Sequence, residues 1–364
     1  MRVAADELRA LLASARASEQ CLLLPACHDA MSAVLIQRAG FKVAFMSGYA
    51  VSATQLAMPD AGLISYGEQL AVGQKVCDAT RGKLSVIGDG DTGFGGSGNV
   101  RRTMRGYASA GFAGISIEDQ LFPKRCSYAR GLAVEPRAAA ISRVRAALAA
   151  RDEMREEGLD LVVVARTDCR NAREHGGFDE AVARCREFAA LGAEVVYAEG
   201  LADADEMRRL NEALRESGCY TMLAQVERPS RSLVGKDEAA ALGYSLSLMG
   251  LTVLSVAMRA MQAALAQMAS GGHPDASARL SFDELYREVG FDEHYQWEGR
   301  FNLDTGGGRA GGATAGGGEA RGEAVGEREA QAKRRRVEAA LLRSELEDVR
   351  ANSPVAATAR RTNE

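Results

Sequence analysis

Two apolar runs in the first third of the chain end in carboxylates. Residues 84–87 lead into Gly88-Asp89-Gly90-Asp91, and residues 112–117 lead into Glu118-Asp119. In an extended strand side chains alternate. Asp89 and Asp91 would therefore point the same way across Gly90, which lets the backbone approach a ligand closely. Two carboxylates on one face suit a hard cation such as Mg2+, with Mn2+ as a substitute, held partly through water. The same pair also reads as turn or capping aspartates. Glu118 weighs toward the cation, because tips of neighbouring strands stand side by side. Asp60, in the segment MPDAGLIS, either makes an Asx-type turn after Pro59 or reaches the same place.

Beyond the second run lies a basic loop, Lys124-Arg125-Cys126, with Arg130 nearby and no histidine to act as a base. Cations of this kind lower a thiol pKa and favour thiolate. The loop 119–133 carries Pro123 and Gly131 and is mostly polar, so Cys126 is either a gated reactive thiol under a lid or a plain surface cysteine. Arg166 closes another apolar run, VVVARTD, where it could bind a substrate carboxylate in bidentate fashion or pair with Glu199 or another structural acid. The run 93–98 is glycine-rich but lacks the lysine and serine of a phosphate-binding P-loop.

These residues need a scaffold that brings distant strand ends together. Eight short, nearly continuous apolar runs fall at 21–27, 41–47, 84–89, 112–118, 160–166, 194–199, 220–226 and 244–249. Such runs suit parallel strands covered on both faces. Amphipathic helical stretches separate most of them, at 29–39, 68–79, 136–157, 179–191 and 204–217. Pro136 suits a first helical turn, and Gly40, Gly192 and Gly218 stand where helices should stop. Eight strand–helix units in about 250 residues is the arithmetic of an α/β protein of the (β/α)8 TIM-barrel type. A doubly wound sheet would more often open with a glycine-rich turn than with Cys27-His28-Asp29. In a barrel the strand ends form one face, on which Asp29, Ser47, Asp89, Asp91, Glu118, Arg166, Asp168, Glu199, Gln225 and Glu227 would converge. So many carboxylates need a cation to offset their repulsion.

The 364 residues suffice for one large core and an appendage. A net charge of −4 gives no reason to expect nucleic acid as a partner, and no apolar run reaches the roughly 18 residues of a membrane span. The seven cysteines include no C-x-x-C pair, and the four histidines are scattered, which points to reduced thiols and away from zinc. The expected location is the cytoplasm, or a mitochondrion or plastid if a transit peptide precedes the sequence; residues 3–20 read as an amphipathic helix packing on the body, not as a leader. A helical stretch at 251–270 and a segment at 280–301 with a capping signature at Ser281 and Glu284 complete a barrel domain of residues 1–302. Residues 303–326 read as a Gly-rich disordered linker, and 327–364 as a charged tail with a possible helix that is either solvated or a basic docking signal.

The segments SGYAVSATQLAMPDAGLIS, GDGDTGFGGSGNVRRTMRGYASAGFAGISIEDQ, PKRCS and ARTD resemble the isocitrate lyase/phosphoenolpyruvate mutase superfamily, nearest its branch of 2-methylisocitrate lyases and petal death proteins. The likeness spans about residues 5–300. It implies a (β/α)8 barrel whose last helix is exchanged between protomers in a homotetramer, a dimer of dimers. It also implies Mg2+ and the making or breaking of C–C or P–C bonds in 2-oxo or 2-hydroxy carboxylates. By position, Asp60, Asp89, Asp91 and Glu118 match the metal-site acids. Ser47, Gly48 and the following Tyr49 match the group that binds the 2-oxo acid end. Arg166, Glu199 and Gln225 match substrate-binding and catalytic-support residues, and Cys126 matches the general acid/base of the lyases. The loop usually reads Lys-Lys-Cys-Gly-His and here reads Lys124-Arg125-Cys126-Ser127-Tyr128. Gln225 replaces an asparagine, Met249-Gly250 a Tyr-Pro pair, and Ser255 an arginine that serves a distal carboxylate. The resemblance therefore implies a Mg2+-dependent lyase that cleaves a 2-alkylmalate or methylisocitrate-like acid to a 2-oxo acid and a second carboxylate. Oxaloacetate hydrolysis or decarboxylation, and phosphonate chemistry, are the enzymatic rivals. A catalytically degenerate ligand-binding barrel is the rival of another class.

Overall fold

A computed structural model describes residues 2–227 and 233–301 and divides the chain into two units, Met1–Ser281 and Phe282–Glu364. The linker and tail expected after residue 302 lie outside the described residues.

The first unit begins with α1 (Arg2–Ala17) and β1 (Leu22–Cys27), then α2 (Ala30–Arg38), β2 (Val43–Met46), α3 (Gly48–Leu56), α4 (Tyr66–Thr80) and β3 (Ser85–Asp89). It continues with α5 (Ser97–Ala110), β4 (Gly114–Glu118), α6 (Arg137–Glu156), β5 (Val162–Thr167), α7 (Phe178–Ala190) and β6 (Val195–Ala198). Then come α8 (Ala204–Leu214), β7 (Tyr220–Gln225), α9 (Lys236–Ala241), β8 (Leu246–Met249) and α10 (Thr252–Ala269). The eight strands are all parallel and close in chain order, β8 pairing with β1. This is a (β/α)8 barrel.

The strands are apolar on both faces because each face is covered. Alternate residues build two layers. Leu24 and Ala26, Val43 and Phe45, Ile87, Val162 and Val164, Val195 and Tyr197, Met222, and Leu246 and Leu248 pack inward, together with Leu8 and Leu12 of α1. The intervening residues, such as Ala44, Met46, Val163, Ala165 and Val196, pack outward beneath the helices. Leu8 and Leu12 are fully buried and stopper the barrel base, each contributing about 1.5–3 kcal/mol of burial. Arg9, between them, ties α1 to the strand bottoms through Asp160 (2.8 Å) and Glu194 (2.7 Å).

Helix ends follow local chemistry. Asp29 and Ser65 cap α2 and α4 with capping boxes, and Asp203 caps α8. Gly40, Gly192 and Gly218 all take positive φ after helices. Pro136 is the N-cap of α6, one position before the first helical turn. The run 93–98 serves packing: it turns into α5, and a Cβ on Gly93 would fall 2.5 Å from Val100. Three helices lie outside the stretches expected from the sequence: α3 directly after β2, α5 after that glycine run, and the short α9 before β8.

The second unit begins with α11 (Phe282–Glu288) and α12 (Phe291–Glu298). Tyr286 stacks on Phe291 at 4.3 Å between ring centroids.

Candidate active site

The inward parity that fills the barrel continues to the strand tips. Ser47, Asp89, Glu118, Arg166 and Glu199 each fall two residues beyond an inward-facing position, and all five are buried or nearly so. Adjacent tips are in register: Glu118 pairs with Arg166 across β4 and β5, and the Glu118 N–H donates to Asp91 O at 2.9 Å.

Asp89 and Asp91 frame a tight turn. The Gly90 N–H donates to Ser116 O at 2.8 Å, and a Cβ there would lie 2.7 Å from the same oxygen. Asp91 takes φ 47°, and its N–H donates to Asp89 Oδ1 at 3.2 Å. From the start of α3 the Gly48 N–H donates to Asp89 Oδ2, also at 3.2 Å. A Cβ on Gly48 would fall 2.8 Å from Asp89 Oδ2 and 3.2 Å from Asp91 Oδ1, so only glycine leaves this cradle open. Ser47 caps α3, its Oγ accepting from Ala50 N at 3.3 Å, and Tyr49 lies half-exposed in the first turn.

Lys124 joins Asp60 to this group. Its Nζ stands 2.6 Å from Asp60 Oδ1 and 2.7 Å from Asp91 Oδ1. The two loops are closely apposed: a Cβ on Gly62, itself at φ 71°, would be 3.2 Å from Lys124 N. Burial lowers the pKa of Lys124, but Asp91, Asp60, Glu118 and Asp89 outweigh it and hold the ammonium firmly charged. Burial pushes the Asp91 carboxyl up to about 7, against the pull of Lys124. Glu118 is raised well above the carboxylate range, by burial first. Neither of its carboxylate oxygens receives a hydrogen bond, and Arg166 Nη1 stands 3.3 Å from Oε2.

This set suits a hard cation: buried oxygen donors, under-neutralised and partly without hydrogen bonds. Among the described residues, no three His, Cys, Asp or Glu side chains already converge in ligating positions. Mg2+ does not require such a cage, because it keeps several waters and takes one or two carboxylates directly.

Cys126 is half-buried, and its N–H donates to Asp60 O at 2.9 Å. The expectation of a depressed thiol pKa is overturned. Burial raises it, outweighing the Tyr128 N–H that bonds the sulfur and the more distant Arg166. The reason lies in the loop's cations. Lys124 is spent on Asp60 and Asp91, while Arg125 and Arg130 are exposed to solvent.

Arg166 is held by acids of its own chain. Its Nε and Nη2 donate to the two oxygens of Asp168, each at 2.8 Å, and Nη2 also donates to Ser127 Oγ at 2.6 Å. Glu199 Oε2 is 3.9 Å from Nη2, and Glu199 Oε1 accepts from the Tyr128 hydroxyl. Burial raises the Glu199 carboxyl. Asp168 is fixed in turn by a buried network: its N–H donates to Asp119 Oδ1 at 2.9 Å, while Thr167 (2.6 Å) and Arg184 (2.8 Å) hold Asp119 Oδ2.

Gln225 has the opposite parity to Met222 and Ala224. Its amide is engaged outside the barrel, donating to Ser247 Oγ at 2.8 Å and Val234 O at 3.0 Å and accepting from Val234 N at 2.7 Å. The structure thus gathers Ser47, Gly48, Asp60, Asp89, Asp91, Glu118, Cys126, Arg166 and Glu199 about one mouth and leaves Gln225 as a brace for the β7 loop. Sequence reasoning gave Lys124, Ser127 and Tyr128 no place in the site, and placed Asp168 on the barrel face without a role. Asp168 carried a readable signal, two residues past Arg166 on the same parity.

A (β/α)8 barrel with carboxylates, a lysine and a thiol-bearing loop at its mouth defines a class, and the comparisons agree with it. The family described as phosphoenolpyruvate phosphomutase matches residues 11–269, and the chain belongs to that family, within the superfamily of isocitrate lyases and phosphoenolpyruvate mutases. A 2,3-dimethylmalate lyase of Eubacterium barkeri is 34% identical over 71% of this chain and 83% of that protein. An oxaloacetate acetylhydrolase, solved with 3,3-difluorooxalacetate, has a TM-score of 0.75 and 26% identity, over 82% of this chain and 96% of that one. A phosphonopyruvate hydrolase, solved with oxalate and Mg2+, has a TM-score of 0.70 and 25% identity, over 82% and 99%. The relatives are lyases, mutases and hydrolases of small acids, and no described helix here is long and apolar enough to cross a membrane.

Proposed function

We propose that the protein is a Mg2+-dependent carbon–carbon lyase acting on a 2-hydroxy carboxylate of the 2-alkylmalate type. It would yield a 2-oxo acid and a second carboxylate. The observation that carries this reading is Cys126, a half-buried thiol whose pKa burial raises, on a loop bonded to the carboxylate cluster through Asp60.

Asp60, Asp89, Asp91 and Glu118 would hold the divalent cation, which when bound would polarise the oxygen that becomes the 2-oxo group. The N-terminus of α3, with Ser47 and Gly48, offers its dipole to the carboxylate of the same end. Glu199 and Arg166 line the opposite side. A water in the mouth would take the hydroxyl proton, and the C2–C3 bond would then break. The alkoxide electrons form the carbonyl, and the bonding pair passes to the leaving carbon. That carbanion takes the proton of the Cys126 thiol. The thiolate left behind is stabilised by the Tyr128 N–H and by Arg166.

Cys126→Ser should lower turnover by about a hundredfold or more, the span of general acid–base catalysis, while Mg2+-dependent oxalate binding persists. The assay is a panel of 2-alkylmalates, 2-methylisocitrate, oxaloacetate and phosphonopyruvate with Mg2+ or Mn2+. Unchanged turnover in Cys126→Ser would sink the acid role. Turnover of oxaloacetate alone would favour hydrolysis, a reading supported by the fold shared with the acetylhydrolase. Inactivity on the whole panel would leave a ligand-binding barrel.

A homotetramer with an exchanged last helix is part of the same reading. It is supported by α10, which exposes Val256, Met258, Met261, Leu265 and Met268 and buries only Leu254. The seven unpaired thiols support a reducing compartment, cytoplasmic or organellar.

A further inference from the structure

The loop that carries Cys126 is bonded at both margins of the barrel mouth. On the β2–β3 side, Lys124 Nζ meets Asp60 and Asp91, and the Cys126 N–H donates to Asp60 O. On the β5–β6 side, the next two residues make the attachment. Ser127, itself buried, donates through Oγ to Asp168 Oδ1 and accepts from Arg166 Nη2 at 2.6 Å. The Tyr128 hydroxyl donates to Glu199 Oε1, and the Tyr128 N–H bonds the Cys126 sulfur. One residue therefore grips the barrel with its side chain and the thiol with its backbone.

We propose that Tyr128 is a positioning residue for Cys126, and that Ser127 and Tyr128 together form a clasp that holds the loop shut over the mouth. This rests on the reading of Cys126 as the reactive thiol. The physical argument is geometric. Residues 126–128 form a turn, in which the Ala129 N–H donates to Cys126 O at 2.8 Å. In so short a turn the position of the Tyr128 amide follows from where its phenol is anchored. Both acceptors of the clasp are buried carboxylates, so each bond is charge-assisted and shielded from water. Asp168 is immobilised by Asp119, Thr167 and Arg184, so Ser127 meets a rigid partner. Without the clasp, the Asp60 contacts and the loop's own base, where Leu121 N donates to Ala133 O and Arg125 N to Gln120 Oε1, would remain, but the 126–128 turn that carries the thiol would lose its hold on the β5–β6 side.

The test is alkylation of individual cysteines by iodoacetamide, read by peptide mass spectrometry on the full-length protein without substrate. In Tyr128→Phe, Cys126 should be labelled about tenfold faster than in the parent, the factor that corresponds to one lost hydrogen bond to a charged group. Ser127→Ala should act in the same direction, and Tyr128→His, which restores a donor, should bring the rate back toward the parent. The buried Cys27, Cys77 and Cys185 should label at unchanged rates in every variant. Equal labelling of Cys126 in Tyr128→Phe, Ser127→Ala and the parent would overturn the clasp. So would acceleration of all four thiols together, which reports loss of fold instead of release of a loop. Because labelling needs no turnover, a failed substrate panel with faster Cys126 labelling would reject the lyase reading and keep the clasp.

Discussion

Lys124 Nζ lies 2.7 Å from Asp91 Oδ1, with only 4% of either side chain exposed. A lid residue thus neutralises an acid of the barrel mouth, so loop position and charge there are one variable. Removing one partner of a buried pair leaves an uncompensated charge and costs about 3–5 kcal/mol. Lys124→Met should therefore lower the melting temperature of the metal-free protein. Saturating Mg2+ should recover part of the loss, because the cation replaces the missing ammonium at Asp60 and Asp91. Calorimetric scans with EDTA and with Mg2+ would check this, and an equal loss in both would contradict it.

Gly48 is fixed by the carboxylates it faces. The Cβ of Gly48→Ala would fall 2.8 Å from Asp89 Oδ2, so the aspartate or the start of α3 must move. The expected stability cost is about 1–3 kcal/mol, as for other overpacked sites. Mg2+ affinity should fall more than tenfold by isothermal titration, since a displacement near 1 Å disorganises a site of this kind.

The pH profile follows from the raised thiol. An acid must be protonated to act, and burial lifts Cys126 above its ordinary value. kcat should therefore stay level from neutrality and fall only in the alkaline range, above the ordinary thiol value of about 8.5. A fall that begins near pH 7 would assign the limb to another group.

Stability at acid pH has a separate origin, at the barrel base. Burial alone would raise Asp160, but Arg9 and Arg155 outweigh it and hold the carboxyl below its ordinary range. A depressed folded-state pKa stabilises above the unfolded value, near 3.9, and the stabilisation is lost as pH falls through the folded value. Arg9→Met should cost about 2 kcal/mol at pH 7, a charged hydrogen bond discounted for a partner that is partly exposed. The difference from the parent should shrink below about pH 4 in urea titrations.

The barrel was legible because its runs are apolar on both faces, a pattern that two-sided burial imposes whatever residues fill it. The acids at strand tips were legible for a related reason, since parity and run ends fix where they stand. Three features were not. The direction of the Cys126 shift depends on where Lys124 spends its charge, and a count of neighbouring cations cannot supply that. Gln225 ends a strand but on the outward parity, which needs the register of β7. Ser127 and Tyr128 find Asp168 and Glu199, 41 and 71 positions away, contacts that no local pattern encodes.

The stopper of Leu8 and Leu12 closes the base of the barrel, which leaves the mouth as the way in among the described residues. On the proposed lyase reading, substrate, both products and exchanging solvent would all pass beneath the same fifteen or so residues of loop, 119–133, and would queue. Turnover would then have a ceiling set by how often the loop swings, and a viscous solvent that slows the loop should slow catalysis even where the bond-breaking step is fast.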